Sequence, residues 1–116
     1  MALQILYKIL PRNAWERAKA AQRFDGAGID LGDGYIHLST GAQVKETAAR
    51  HFAGQQDLVL VAVPEAAVAK DLKWEASRGG ALFPHVFGPI DPAHVLWVKD
   101  LPWIGEAHEF PHGDFS

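Results

Sequence analysis

Leu58-Val59-Leu60-Val61-Ala62-Val63 is a run of six apolar residues ended by Pro64. A run this short and this uniformly apolar reads as a strand covered on both faces, so it belongs at the centre of a sheet. The rest of the chain has to be arranged around it.

Toward the N-terminus, Thr40-Gly41-Ala42-Gln43 has capping-box form, and Val44, Ala48 and Phe52 recur at four-residue steps until Gly54. This predicts a helix packed by one apolar stripe. Ahead of it, Tyr35-Ile36-His37-Leu38-Ser39 reads as a short strand, whose period of two sends Tyr35, His37 and Ser39 to one face and Ile36 and Leu38 to the other. The stretch from Asp25 to Gly34 carries four glycines and three aspartates and reads as a loop of the kind that often shapes a site. Further out, Leu3 to Leu10 is a strand stopped by Pro11, which has no N–H to donate. Asn13, with Glu16 three residues later, reads as the N-cap of a first helix anchored by Trp15 and ending near Phe24.

Toward the C-terminus, Pro64 to Ala69 forms a short helical turn, and Leu72-Lys73-Trp74-Glu75 reads as a strand with Leu72 and Trp74 inward and Glu75 facing away. Ser77 to Gly80 is a turn. Leu82 to Ile90 is extended but interrupted by Pro84 and Pro89, which places it at a sheet edge. Val95 to Val98 is the last strand, followed by an irregular tail marked by Pro102, Gly105, Pro111 and Gly113. Residues 1–104 make one domain and 105–116 the tail. Runs of strands without regular helical crossovers imply an α+β fold: a single compact domain with a mostly antiparallel or split sheet and two main helices.

Composition narrows the function. The 116 residues suit one domain, and 48% apolar residues with four Trp supply a core without staples. With no Cys there are no disulfides and no thiolate metal sites. A net charge of −3 gives no broad positive field, which argues against general nucleic-acid binding. Met1 to Tyr7 lacks a basic n-region, so no signal peptide is read and the cytoplasm is the expected compartment. No apolar run approaches the roughly 18 residues of a membrane span.

Three polar motifs, with four polar residues, then stand out inside apolar strands. His37 and Ser39 read either as a satisfied buried pair or as a neutral imidazole and a hydroxyl aimed at a polyol such as ribose. Glu75 reads either as a solvated strand residue or as a catalytic carboxylate facing the same cleft. His85, stiffened by Pro84, reads as a positioning or acid–base group, because a polar ring in an apolar segment needs partners. No metal is expected: His37, His51, His85 and Glu75 lack close ligand spacing, and His108 and His112 flank Pro111 in a tail expected to be solvated. Gly26-Ala27-Gly28 precedes a strand and so is no dinucleotide fingerprint.

The motifs Gly34-Tyr35-Ile36-His37-Leu38-Ser39-Thr40 with Gln43, Leu72-Lys73-Trp74-Glu75, and Phe83-Pro84-His85-Val86-Phe87-Gly88-Pro89 occur in one order along the chain. Together they resemble a mainly bacterial family known as domain of unknown function 952. Tyr35 and Phe87 depart from it, since the family more often has Phe and Tyr there. The family's layout is similar to that of the ADP-ribosyltransferase-like superfamily. That resemblance implies an ADP-ribosyltransferase-like fold and a site for NAD, ADP-ribose or a related ribosyl nucleotide. It puts His37 and Ser39 on the ribose with Tyr35 and Phe87 beside them, and gives Glu75 and His85 the catalytic work. NAD is then a substrate, and no other cofactor is required. The rival expectation is a binding module for a small polar metabolite or a protein partner, using the same cleft without turnover.

Overall fold

The computed structural model describes residues 4–112 and Phe115. Strand β1 (Ile5–Pro11) lies antiparallel to β4 (Leu58–Pro64) along its whole length, with Ile5 opposite Pro64 and Pro11 opposite Leu58. On the far side of β4 runs β7 (Trp97–Leu101), and β3 (Ser39–Thr40) pairs with the outer edge of β1, giving the order β3-β1-β4-β7. A second sheet holds β2 (Ile36–His37), β6 (Leu82–Val86) and β5 (Leu72–Ala76) in the order β2-β6-β5. All strand pairings among the described residues are antiparallel, and the chain is a single α+β domain.

The central strand is covered on both faces, as its composition requires. Val59, Val61 and Val63 pack with Leu6, Leu10, Trp15, Ile36 and Val86 in one core, between the first sheet, the second sheet and helix α1 (Arg12–Ala21). Leu58, Leu60 and Ala62 pack with Tyr7, Ile9, Val44 and Ala48 in another, beneath helix α3 (Val44–His51). Each fully buried Val or Leu contributes roughly 1.5–3 kcal/mol relative to exposure, so the alternating faces of β4 tie the two halves together. The short helix α4 (Glu65–Val68) and a 3₁₀ turn (Ala69–Asp71) then lead from β4 into β5.

Several local readings are corrected. Helix α1 starts at Arg12 with Pro11 as its cap residue and no side-chain cap, because the Arg12 N–H donates to the carbonyl of Asp57. Asn13 therefore lies inside the first turn, and the helix ends at Ala21 with Gln22 in the left-handed conformation. The glycine-rich loop contains a five-residue helix, α2 (Ile29–Asp33). The edge position assigned to β6 is wrong: it is the middle strand of its sheet. Pro84 is tolerated there because its carbonyl accepts from Leu38, which lies just past the end of β2, so the missing N–H would point where no strand partner runs. The last long strand begins two residues later than its apolar run suggests and continues through Lys99 and Asp100, polar residues that an edge strand can expose.

Residues of the expected tail are also ordered against the core. β8 (Trp103–Ile104) and β9 (Ala107–His108) form a hairpin, His108 is buried with Nε2 3.0 Å from the Gln55 carbonyl, and Phe115 packs on Tyr7. His108 is therefore not solvated. Among the described residues no helix is long and apolar enough to cross a membrane.

Candidate functional site

The segment 35–40 is not one strand. It crosses from the second sheet to the first at Leu38, so period two fails there and the residues on either side serve different sheets. In the second sheet, Ile36 opposes Val86 and His37 opposes His85. Ile36 and Val86 point into the core, so His37 and His85 share the opposite face. On β5 the same logic buries Leu72 and Trp74 and turns Lys73 and Glu75 toward the histidines.

The result is a polar and aromatic cluster on one face. The His37 and His85 rings meet edge to face at 5.3 Å. Tyr35 stacks on His85 at 4.3 Å and touches His37 at 4.6 Å and Phe87 at 4.9 Å. Nδ1 of His85 is 2.7 Å from a carboxylate oxygen of Glu75. An acceptor there puts the proton on Nδ1 and leaves Nε2 as the lone-pair nitrogen of the neutral ring. Four site residues from two distant segments, Tyr35 and His37 in one and His85 and Phe87 in the other, are thus brought together, and Glu75 joins them through His85.

Ser39 is the exception. It pairs opposite Tyr7 on the face of the first sheet that carries α3, and its hydroxyl lies 2.9 Å from that of Thr47. The expectation that Ser39 shares the face of His37 is corrected, because the crossing at Leu38 turns it away. It still lines the same cavity. This cavity, of about 1000 Å³, is walled by Lys8, Asp30, Tyr35, His37, Ser39 and His85, among others. It exists because β3 covers β1 only at Leu6 and Tyr7, leaving the edge from Lys8 to Pro11 without a strand partner among the described residues. Glu75 and Phe87 stand outside its wall.

The residue that organises the site is Asp30, which no motif singled out. Its side chain is 0% exposed and accepts from Lys8 Nζ at 2.7 Å, from His37 Nδ1 at 2.6 Å, from the His37 N–H at 3.1 Å and from the Ala27 N–H at 3.0 Å. Burial pushes its carboxyl up, but the His37 hydrogen bond and the Lys8 charge outweigh that and hold it down to about 2. Lys8 is pushed below the usual lysine range by burial, with Asp30 opposing the change. A side chain at Gly26 would press on Asp30, its Cβ only 2.8 Å from that of Asp30, and the φ of +126° also favours glycine. Lys8 carried a signal: it is the one charged residue in an apolar strand and needs a buried partner. Nothing in the loop told Asp30 from Asp25 or Asp33.

The buried carboxylate has a pH signature. Its folded value of about 2 lies below the ordinary 3.8, so its contribution is complete above pH 4 and is lost as pH falls through 2. Acid urea titrations should therefore show a stability loss of about 2 kcal/mol from this group across that window. Asp30→Asn should flatten the curve there, and an unchanged slope would mean that Asp30 does not carry it.

His37 itself is more committed than the sequence suggests. Its Nδ1 serves Asp30 and its Nε2 lies 3.0 Å from Asp33. A ring that donates to both carboxylates at once carries both protons, whereas a neutral ring donates to one of them.

Comparison with known proteins agrees with this fold. Residues 9–98 match the family described as "Protein of unknown function (DUF952)". The crystal structure of protein CC0527 from Caulobacter crescentus is similar with a TM-score of 0.86 and 49% identity, covering 90% of this chain and 93% of that one. Its solution structure is similar with a TM-score of 0.79 and 50% identity, covering 90% of each chain. No curated protein matches the chain. The matched span carries the end of the first strand, His37, His85 and Glu75, and the chain belongs to the DUF952 family.

Proposed function

We propose that the cavity binds a ribosyl nucleotide, NAD or ADP-ribose, and that His85 with Glu75 cleaves or transfers its glycosidic bond. The observation that carries this reading is the Glu75–His85 pair: a buried ring oriented by a carboxylate at 2.7 Å, on the wall of a cavity large enough for a nucleotide. Tyr35 and His37 supply a stacking surface and a hydrogen-bond donor beside it. In hydrolysis, His85 Nε2 takes a proton from water as its oxygen bonds the ribose C1′. The C1′–N bond breaks, and nicotinamide leaves with the electron pair.

A specific observation favours a second reading, a binding module without turnover. Glu75 is spent on His85 and does not reach the cavity wall, so it cannot touch C1′ as a lone catalytic carboxylate would. Thermal shift with NAD, ADP-ribose and nicotinamide tests binding. At a hundredfold excess over Kd, the ligand should add about 2.7 kcal/mol of stability. No shift at millimolar ligand sinks both forms of the nucleotide reading, and a shift without nicotinamide release favours the module.

A further inference from the structure

We infer that the ligand of this cavity presents an anionic oxygen, of a phosphate or a carboxylate, that takes the place of Asp33 at Nε2 of His37. The inference rests on the ribosyl-nucleotide reading and narrows it to charged members of that class, as against neutral nucleosides. It begins with the inequality of the two His37 nitrogens. Nδ1 is tied to Asp30, which is wholly buried and held by three further hydrogen bonds. Nε2 is tied to Asp33, whose side chain is 46% exposed.

Asp33 is the last residue of the five-residue helix α2, between Gly32 and Gly34, and Gly34 has a φ of +85°. An exposed ion pair of this kind contributes little and exchanges readily. Asp33 also lines the cavity, so its carboxylate stands where a ligand oxygen would meet His37. With Nδ1 donating to Asp30, a ring that also donates from Nε2 is a cation and favours an anion over a hydroxyl.

The other charges of the cavity point the same way. Its remaining acids are already paired: Asp25 with Arg23 at 2.7 Å, and Asp30 with Lys8 and His37. Arg17, on α1, also lines the cavity and forms no ion pair among the described residues. Displacing Asp33 therefore leaves a guanidinium and the Nε2 of His37 facing one cavity, and a ring protonated on both nitrogens joins the guanidinium in binding phosphate through charge-assisted hydrogen bonds.

The experiment is a titration of ¹⁵N-labelled protein with inorganic phosphate, ADP-ribose and adenosine, read at the ring nitrogens of His37. Asp33→Ala and Asp33→Asn should bind phosphate and ADP-ribose about fivefold more tightly than the wild type, since the competing carboxylate is gone. Adenosine affinity should not change, and Arg17→Gln should weaken both charged probes. Equal phosphate affinity in wild type and both Asp33 variants, or a His37 Nε2 that ignores phosphate, overturns the proposal. If phosphate behaves as expected but ADP-ribose binds no better than phosphate alone, the anion site stands and the ribosyl reading fails.

Discussion

Asp30→Ala is expected to cost about 3–5 kcal/mol, the range for removing one partner of a buried ion pair. The loss is large because four donors converge on that carboxylate: the Lys8 ammonium, the His37 ring, and the N–H groups of His37 and Ala27. Among the described residues Lys8 would be left buried with only the His37 carbonyl, at 3.1 Å, to accept from it. For a domain of this size the Tm should fall on the order of 10–20 °C. Lys8→Met added to Asp30→Ala should recover part of the loss, because an apolar side chain of similar length removes the unpaired charge. Urea unfolding of the three variants reads this directly. A cost below about 1 kcal/mol for Asp30→Ala, or a double variant worse than the single, would show that water already screens the pair.

The same residue marks where the sequence stopped being informative. Strand β4 was legible because its six apolar residues admit only a position covered on both faces, and α3 because one stripe repeats every four residues. His37, His85 and Glu75 were legible as polar interruptions of apolar strands. Their convergence was an expectation that strand register makes physical: His37 directly opposes His85, and Glu75 lies diagonally across from His85. Asp30 was not legible, since its role comes from tertiary burial of one loop aspartate among three. Ser39 lines the same cavity, but its face was misread for a different reason. A strand that changes sheets at a single residue, Leu38, keeps its local pattern in sequence while breaking the shared face in space.

If the chain cleaves a ribosyl nucleotide as proposed, His85→Gln should lower that turnover by about 10²–10⁴-fold, the usual contribution of a positioned acid–base group. The argument rests on division of labour within the pair. His85 lines the cavity and keeps Nε2 free of Glu75, which holds Nδ1 at 2.7 Å from behind and stands outside the cavity wall. Glu75 is therefore a positioning residue. Glu75→Gln keeps an acceptor for the Nδ1 proton but removes the charge that stabilises a protonated ring. It should reduce kcat more than it changes KM and shift the pH–rate profile, while Glu75→Ala, which frees the ring to rotate, should be worse. Stability should drop only about 1–2 kcal/mol for His85→Gln, so folded protein will be available to assay. Nicotinamide release followed by chromatography gives the rates. His85→Gln turning over within threefold of the wild type would remove the pair from the chemistry. A Glu75→Gln variant as impaired as His85→Gln, with an unmoved pH profile, would instead give Glu75 a direct role at the ribose.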